Sequence, residues 1–100
     1  MGMKIIWQKE AEEEFAEIMK WYKDNCAPSA RDKLMKNIGQ RIVLLSRQPF
    51  IGKRFFTSTD TEKEYRILKI YRNLRVIYYF SNDNICIVHI GDCRNTFVNC

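Results

Sequence analysis

One hundred residues with a mass of 12.0 kDa hold one domain and exclude a multidomain machine. Hydrophobic residues at 46% and charged residues at 29% are the balance of a globular chain rather than a disordered one. The formal charge is +5, and no apolar run approaches the roughly 20 residues that a membrane span needs.

Acids and bases are segregated along the chain. Residues 9–24 carry a net of −3 and residues 28–76 a net of +8. A basic field of that kind attracts phosphate backbones or an acidic protein partner. The N-terminal stretch Met1 to Trp7 turns polar at Gln8, too early for the apolar region of a signal peptide, so a cytoplasmic location is expected. The four cysteines, at 26, 86, 93 and 100, form no C-x-x-C pair and match no zinc pattern with two close ligand pairs. Four reduced thiols are expected, with Cys86 a small core hydrophobe and no metal or cofactor.

In chain order, Ile5-Ile6-Trp7 reads as a short strand over Lys4–Trp7. From Lys9 to Lys23 the apolar residues Ala11, Phe15, Ile18, Met19 and Tyr22 recur on one helical face. Acids from Glu10 to Glu17 crowd the first turns, where the helix dipole favours negative charge. Pro28 opens a second helix, whose face carries Leu34, Ile38, Ile42 and Leu45 to about Arg47. Pro49-Phe50-Ile51-Gly52 ends it.

Lys53–Thr61 is expected to hold a short strand and then the polar loop Thr57-Ser58-Thr59-Asp60-Thr61. Three β-rich runs follow, Tyr65–Tyr71, Leu74–Phe80 and Ile85–Ile90, separated by hairpin-like breaks at Arg72-Asn73 and Ser81–Asn84. Helices followed by a meander of strands predict an α+β domain over residues 1–100. In it a two-helix hairpin packs on one face of a small, mostly antiparallel sheet. Strict alternation predicts that Val76, Tyr78 and Phe80 face the helices together with Cys86, Val88 and Ile90. Arg75, Ile77, Tyr79 and His89 then fall on the other face.

This order of features resembles the RelE/ParE toxins of bacterial toxin–antitoxin pairs. The pieces that carry the resemblance are the two N-terminal helices, Pro49–Lys53, Tyr65-Arg66-Ile67-Leu68, Leu74-Arg75-Val76-Ile77-Tyr78-Tyr79, and Gly91-Asp92-Cys93-Arg94. They run from Trp7 to Arg94. The resemblance implies a toxin held inactive by a cognate acidic antitoxin. One branch of the superfamily cleaves mRNA on the ribosome, and the other poisons DNA gyrase without nuclease activity.

RNA cleavage needs an activated 2′-hydroxyl, a stabilised phosphate and a protonated leaving group. By resemblance, Arg75 and Arg94 hold the phosphate, with the planar guanidinium fork that suits it. Lys53 is a candidate base, and His89, the sole histidine, a candidate acid–base group. Arg54, Arg66, Lys69 and Arg72 are candidate phosphate binders, and Phe97 offers a ring for base stacking.

Each candidate has a plainer reading. His89 reads equally as a strand histidine hydrogen-bonded to a neighbour. Arg66, Lys69, Arg72 and Arg75 read as a solvated face pairing with Glu62 and Glu64. Arg31, Lys33, Lys36, Arg41 and Arg47 read as the wet face of the second helix.

Some ribosome-dependent relatives carry histidine and tyrosine after the terminal Cys-Arg. This chain has Thr96 and Phe97 there, which move no proton. The leading expectation from sequence is a ribosome-dependent mRNA endoribonuclease. The alternatives are a gyrase inhibitor and a degenerate, non-toxic member acting as a co-repressor. The antitoxin is expected to be acidic and amphipathic, with its acids meeting Lys53, Arg54, Arg66 and Arg75.

Overall fold

The computed structural model describes residues 2–57, 63–71 and 74–92. Within them the elements run β1 (Lys4–Trp7), α1 (Lys9–Asn25), α2 (Pro28–Arg47), β2 (Lys53–Thr57), β3 (Glu64–Tyr71), β4 (Leu74–Ser81) and β5 (Asn84–Asp92). The strands form one sheet in the order β1-β5-β4-β3-β2. The β2–β3, β3–β4 and β4–β5 pairs are antiparallel, and β1 runs parallel to β5. This is the expected α+β architecture, with β1 at an edge.

Both helices bury the faces that their spacing marks. Ala11, Ile18 and Tyr22 of α1 and Leu34, Ile38 and Leu45 of α2 are buried. Phe15, Met19 and Ile42 pack beside them, and the same core includes Leu68, Ile70, Leu74, Val76 and Tyr78 of the sheet. Sequestering one such aliphatic or aromatic side chain contributes about 1.5–3 kcal/mol. Glu10 and Glu12 occupy the first turn of α1, and Pro28 takes the first turn of α2, where its missing N–H costs nothing. The β4–β5 hairpin turns through Asn82 at φ 56°, a left-handed conformation that asparagine tolerates.

One face assignment is corrected. The β4–β5 register pairs Val76 with Ile90 and Ile77 with His89, then shifts so that Tyr78 meets Ile87 and Phe80 meets Ile85. This bulge adds a residue to β5 and inverts its parity. Ile85, Ile87 and Ile90 therefore face the helices, in place of the expected set Cys86, Val88 and Ile90. Cys86 aligns with Tyr79 on the opposite face and is buried there as a free thiol.

Cys26 is disulfide-bonded, which corrects the expectation of four reduced thiols. That expectation rested on compartment, which carries no geometry.

The loop from α2 into β2 is pinned from two sides. Tyr78, fully buried, donates its hydroxyl proton to the Pro49 carbonyl at 2.9 Å and accepts the Gly52 N–H at 3.0 Å. Arg66 donates to the carbonyls of Gly52 at 2.7 Å and Phe50 at 3.3 Å. These contacts fix where β2 begins, and the start of β2 shapes the site described next.

Candidate functional site

Strand β2 starts at Lys53, opposite Ile67 of β3. From Leu68 onward the outer edge of β3 therefore has no strand neighbour among the described residues. The gap is a depression of about 370 Å³ lined by Arg41, Ile51, Lys53, Ile67, Leu68, Lys69 and Arg75. Cross-strand register brings its cations together: Lys53 sits beside Ile67, and two residues further along β3 Lys69 sits beside Arg75. Arg41 reaches it from α2. A second depression of about 610 Å³ continues along the same edge and shares Arg41 and Lys69, adding Asn37, Gln40, Leu44, Ile70 and Tyr71.

Arg41, Lys53, Lys69 and Arg75 make no ion pair among the described residues, and no carboxylate lines either depression. Four cations without counter-charges raise the local positive potential, and the low-dielectric wall beside them strengthens it. The arrangement suits an anion.

The remaining candidates are placed elsewhere. Arg54 and Arg66 both pair with Glu64, at 2.8 and 3.0 Å. Arg66 also stacks over Phe50 at 4.9 Å, and only 14% of its side chain is exposed. Its guanidinium is engaged by Glu64 and by the backbone carbonyls of Phe50 and Gly52. The expectation of an Arg–Glu face holds for Glu64. Arg72, Arg94 and Phe97, together with Glu62 and Thr96, lie outside the described residues.

His89 shares a register row with Lys53, through Ile67 and Ile77. Three strand spacings separate the two backbones, roughly 14 Å at the usual interstrand distance. His89 is not among the residues that line the depression, although Arg75, which is, lies on the neighbouring strand two residues from its partner Ile77. Its Nδ1 lies 3.2 Å from Glu14 of α1, and the same carboxylate accepts the Ile90 N–H at 3.2 Å. Strand β1 ends at Trp7, opposite Ile87, so beyond that point a side chain of α1 supplies the acceptor that a strand would have supplied. The plainer reading of His89, a histidine bonded to a neighbour, describes this geometry.

Sequence reasoning missed Arg41, which it placed on the wet face of α2. Arg41 lies three residues after Ile38 and four before Leu45, at the flank of the buried stripe, and that spacing was the available signal. It also missed Glu14, which it treated only as one of a solvating run.

With the geometry in place, comparison with known proteins adds a family. The ParE toxins of type II toxin–antitoxin systems of the parDE kind match residues 5–97, and the chain belongs to that family. Its fold is similar to that of a chain in the chromosomal ParDE toxin–antitoxin system from P. aeruginosa. That match has a TM-score of 0.70 and 17% identity, covering 90% of this chain and 95% of that one. A copper-bound mutant toxin from Helicobacter pylori is similar at a TM-score of 0.56 and 14% identity, covering 95% and 99%. No curated protein matches the sequence. Among the described residues no helix is long and apolar enough to cross a membrane, and no cluster of metal-ligating side chains occurs.

Proposed function

We propose that this toxin acts by binding DNA gyrase rather than by cutting RNA, and that a cognate acidic antitoxin holds it inactive. The observation that carries the choice is the engagement of His89 with Glu14, three strands away from Lys53. The basic depression thus gathers charge without the acid–base pair that general acid–base cleavage of a phosphodiester uses. Membership of the ParE family is consistent with this reading. The antitoxin has apolar anchors to use in Met35, Val43 and Phe50, the exposed large hydrophobics among the described residues, with Phe50 66% exposed. An acidic, amphipathic segment would seat its apolar residues there and its acids along the basic edge.

Induction of the toxin alone should accumulate gyrase cleavage complexes and leave mRNA intact. Supercoiling unaffected at saturating toxin removes the proposal. One observation favours the second reading, a ribosome-dependent endoribonuclease: Lys53 and Arg75 do come together in one depression, as a base and a phosphate-stabilising cation would. A-site mRNA cleavage in a translation extract, abolished by Arg75→Ala, would establish it instead.

A further inference from the structure

We infer that the basic track along the open edge of β3 seats the phosphodiester backbone of duplex DNA, so that the toxin engages gyrase and its DNA together. The inference rests on the gyrase reading and deepens it by naming a second component of the target. Its carrying observation is the juxtaposition of Arg41, Lys53, Lys69 and Arg75, unpaired among the described residues, around two adjoining depressions. Arg54 and Arg66, further along the same sheet, share the single carboxylate of Glu64. What sets the four track cations apart is that they line two adjoining depressions together.

Two features point to a phosphate chain rather than a strand added to the edge. A peptide adding to the edge of β3 would need evenly spaced main-chain partners, but the register slips between Lys69 and Tyr71. Bulges and charged side chains blunt an edge against strand addition. The polar groups of the lining are cations with Asn37 and Gln40 beside them, set among the apolar side chains of Ile51, Ile67 and Leu68. Arginine, lysine and side-chain amides are the groups that contact sugar and phosphate without reading sequence. The two depressions share Arg41 and Lys69, so consecutive phosphates of one strand can be held by overlapping sets of donors.

The test is a titration of a fluorescent 20-base-pair duplex with the full-chain toxin, by anisotropy, at potassium chloride concentrations from 50 to 200 mM. Four phosphate contacts predict a slope of log affinity on log salt near −3.6, and so a loss of about 100-fold across that range. Arg41→Gln and Lys69→Gln should each flatten the slope by about 1. Lys20→Gln, an exposed cation on α1, should leave it unchanged. Circular dichroism verifies that the variants are folded, and the pair Lys53→Gln and Arg75→Gln repeats the test should Arg41→Gln fail to fold.

A supercoiling assay runs alongside. Equal slopes for track and Lys20 variants overturn the DNA seat, as does tighter binding of a single-stranded RNA of similar length. Undiminished gyrase inhibition by Arg41→Gln/Lys69→Gln also overturns it, while leaving the gyrase reading standing. Salt-dependent duplex binding without any gyrase inhibition supports the seat and removes the gyrase reading.

Discussion

The amide N–H of Gly52 donates to the phenolic oxygen of Tyr78 at 3.0 Å, joining the turn after α2 to the middle of β4. The same hydroxyl donates onward to the Pro49 carbonyl at 2.9 Å, so one side chain satisfies both ends of the Pro-x-x-Gly turn. Tyr78→Phe keeps the ring and leaves these backbone groups without their partner. Removing one side of a buried hydrogen bond costs about 1–3 kcal/mol. Urea unfolding should show a lower midpoint at unchanged slope, and an unaltered midpoint would mean that water replaces the hydroxyl.

The same residue sets an alkaline limit. Burial, the largest influence, raises the Tyr78 hydroxyl above its ordinary pKa, against the smaller lowering effects of the Gly52 hydrogen bond and the Arg66 charge. Below about pH 10, the pKa of an unperturbed tyrosine, the folded and unfolded chains both hold the proton and the contribution is fully present. Above it the unfolded chain releases the proton first, so stability falls as pH rises toward the folded pKa. Wild type should lose more stability between pH 9 and 11 than Tyr78→Phe does, measured by denaturation at each pH.

Two glycines should respond oppositely to alanine. A Cβ at Gly52 would stand 2.5 Å from the Tyr78 hydroxyl oxygen and 2.9 Å from the Ile67 carbonyl oxygen, so the turn must shift. Overpacking of this kind costs about 1–3 kcal/mol. At Gly39, inside α2, a Cβ meets nothing within 4 Å, and Gly39→Ala should stabilise by about 0.5–1 kcal/mol through helix propensity. Melting temperatures moving in opposite directions would bear this out; a fall for both would show that Gly39 has a packing role.

Glu14 is expected to matter more for the backbone than for the histidine. Its carboxylate holds the Ile90 N–H, whereas its pairing with His89 is half exposed, at 50% and 40% of the side chains. Solvent leaves such a pair worth little. Glu14→Gln keeps an acceptor and should be nearly neutral, while Glu14→Ala should cost about 1 kcal/mol. His89→Ala falling further than Glu14→Ala would reverse that ranking.

The elements were legible because their periods are local. Helix faces at 3.6 residues and strands at two depend on near neighbours, and α1, α2 and the three-strand meander were read from them. The core face of β5 was not legible, since a single bulge between Ile77 and Tyr78 inverts parity without any glycine or proline to mark it. The site was half legible. Lys53, Lys69 and Arg75 fall together because strand register follows from the hairpins. Arg41 arrives from α2 across a tertiary contact that spacing alone does not encode. Arg66 looked identical to its neighbours in sequence, and only the carbonyls of Phe50 and Gly52 and the carboxylate of Glu64 distinguish it.

That distinction decides how antitoxin recognition should respond to charge. Pairs at the rim of an interface govern association more than dissociation, and salt screens them. Lys69 and Arg75, exposed and unpaired among the described residues, are available to acidic groups of the antitoxin. Lys69→Glu with Arg75→Glu should therefore slow association about 10-fold or more at low salt, with a smaller change in dissociation and an intact fold. Arg66→Glu should behave differently. It withdraws donors from the carbonyls of Phe50 and Gly52 and sets a second carboxylate beside Glu64, so its first effect should be on stability. Stopped-flow association across a potassium chloride series, paired with urea unfolding, separates the two. If Arg66→Glu slowed association at full stability, the antitoxin would be docking on the Glu64 cluster instead of the open edge of β3.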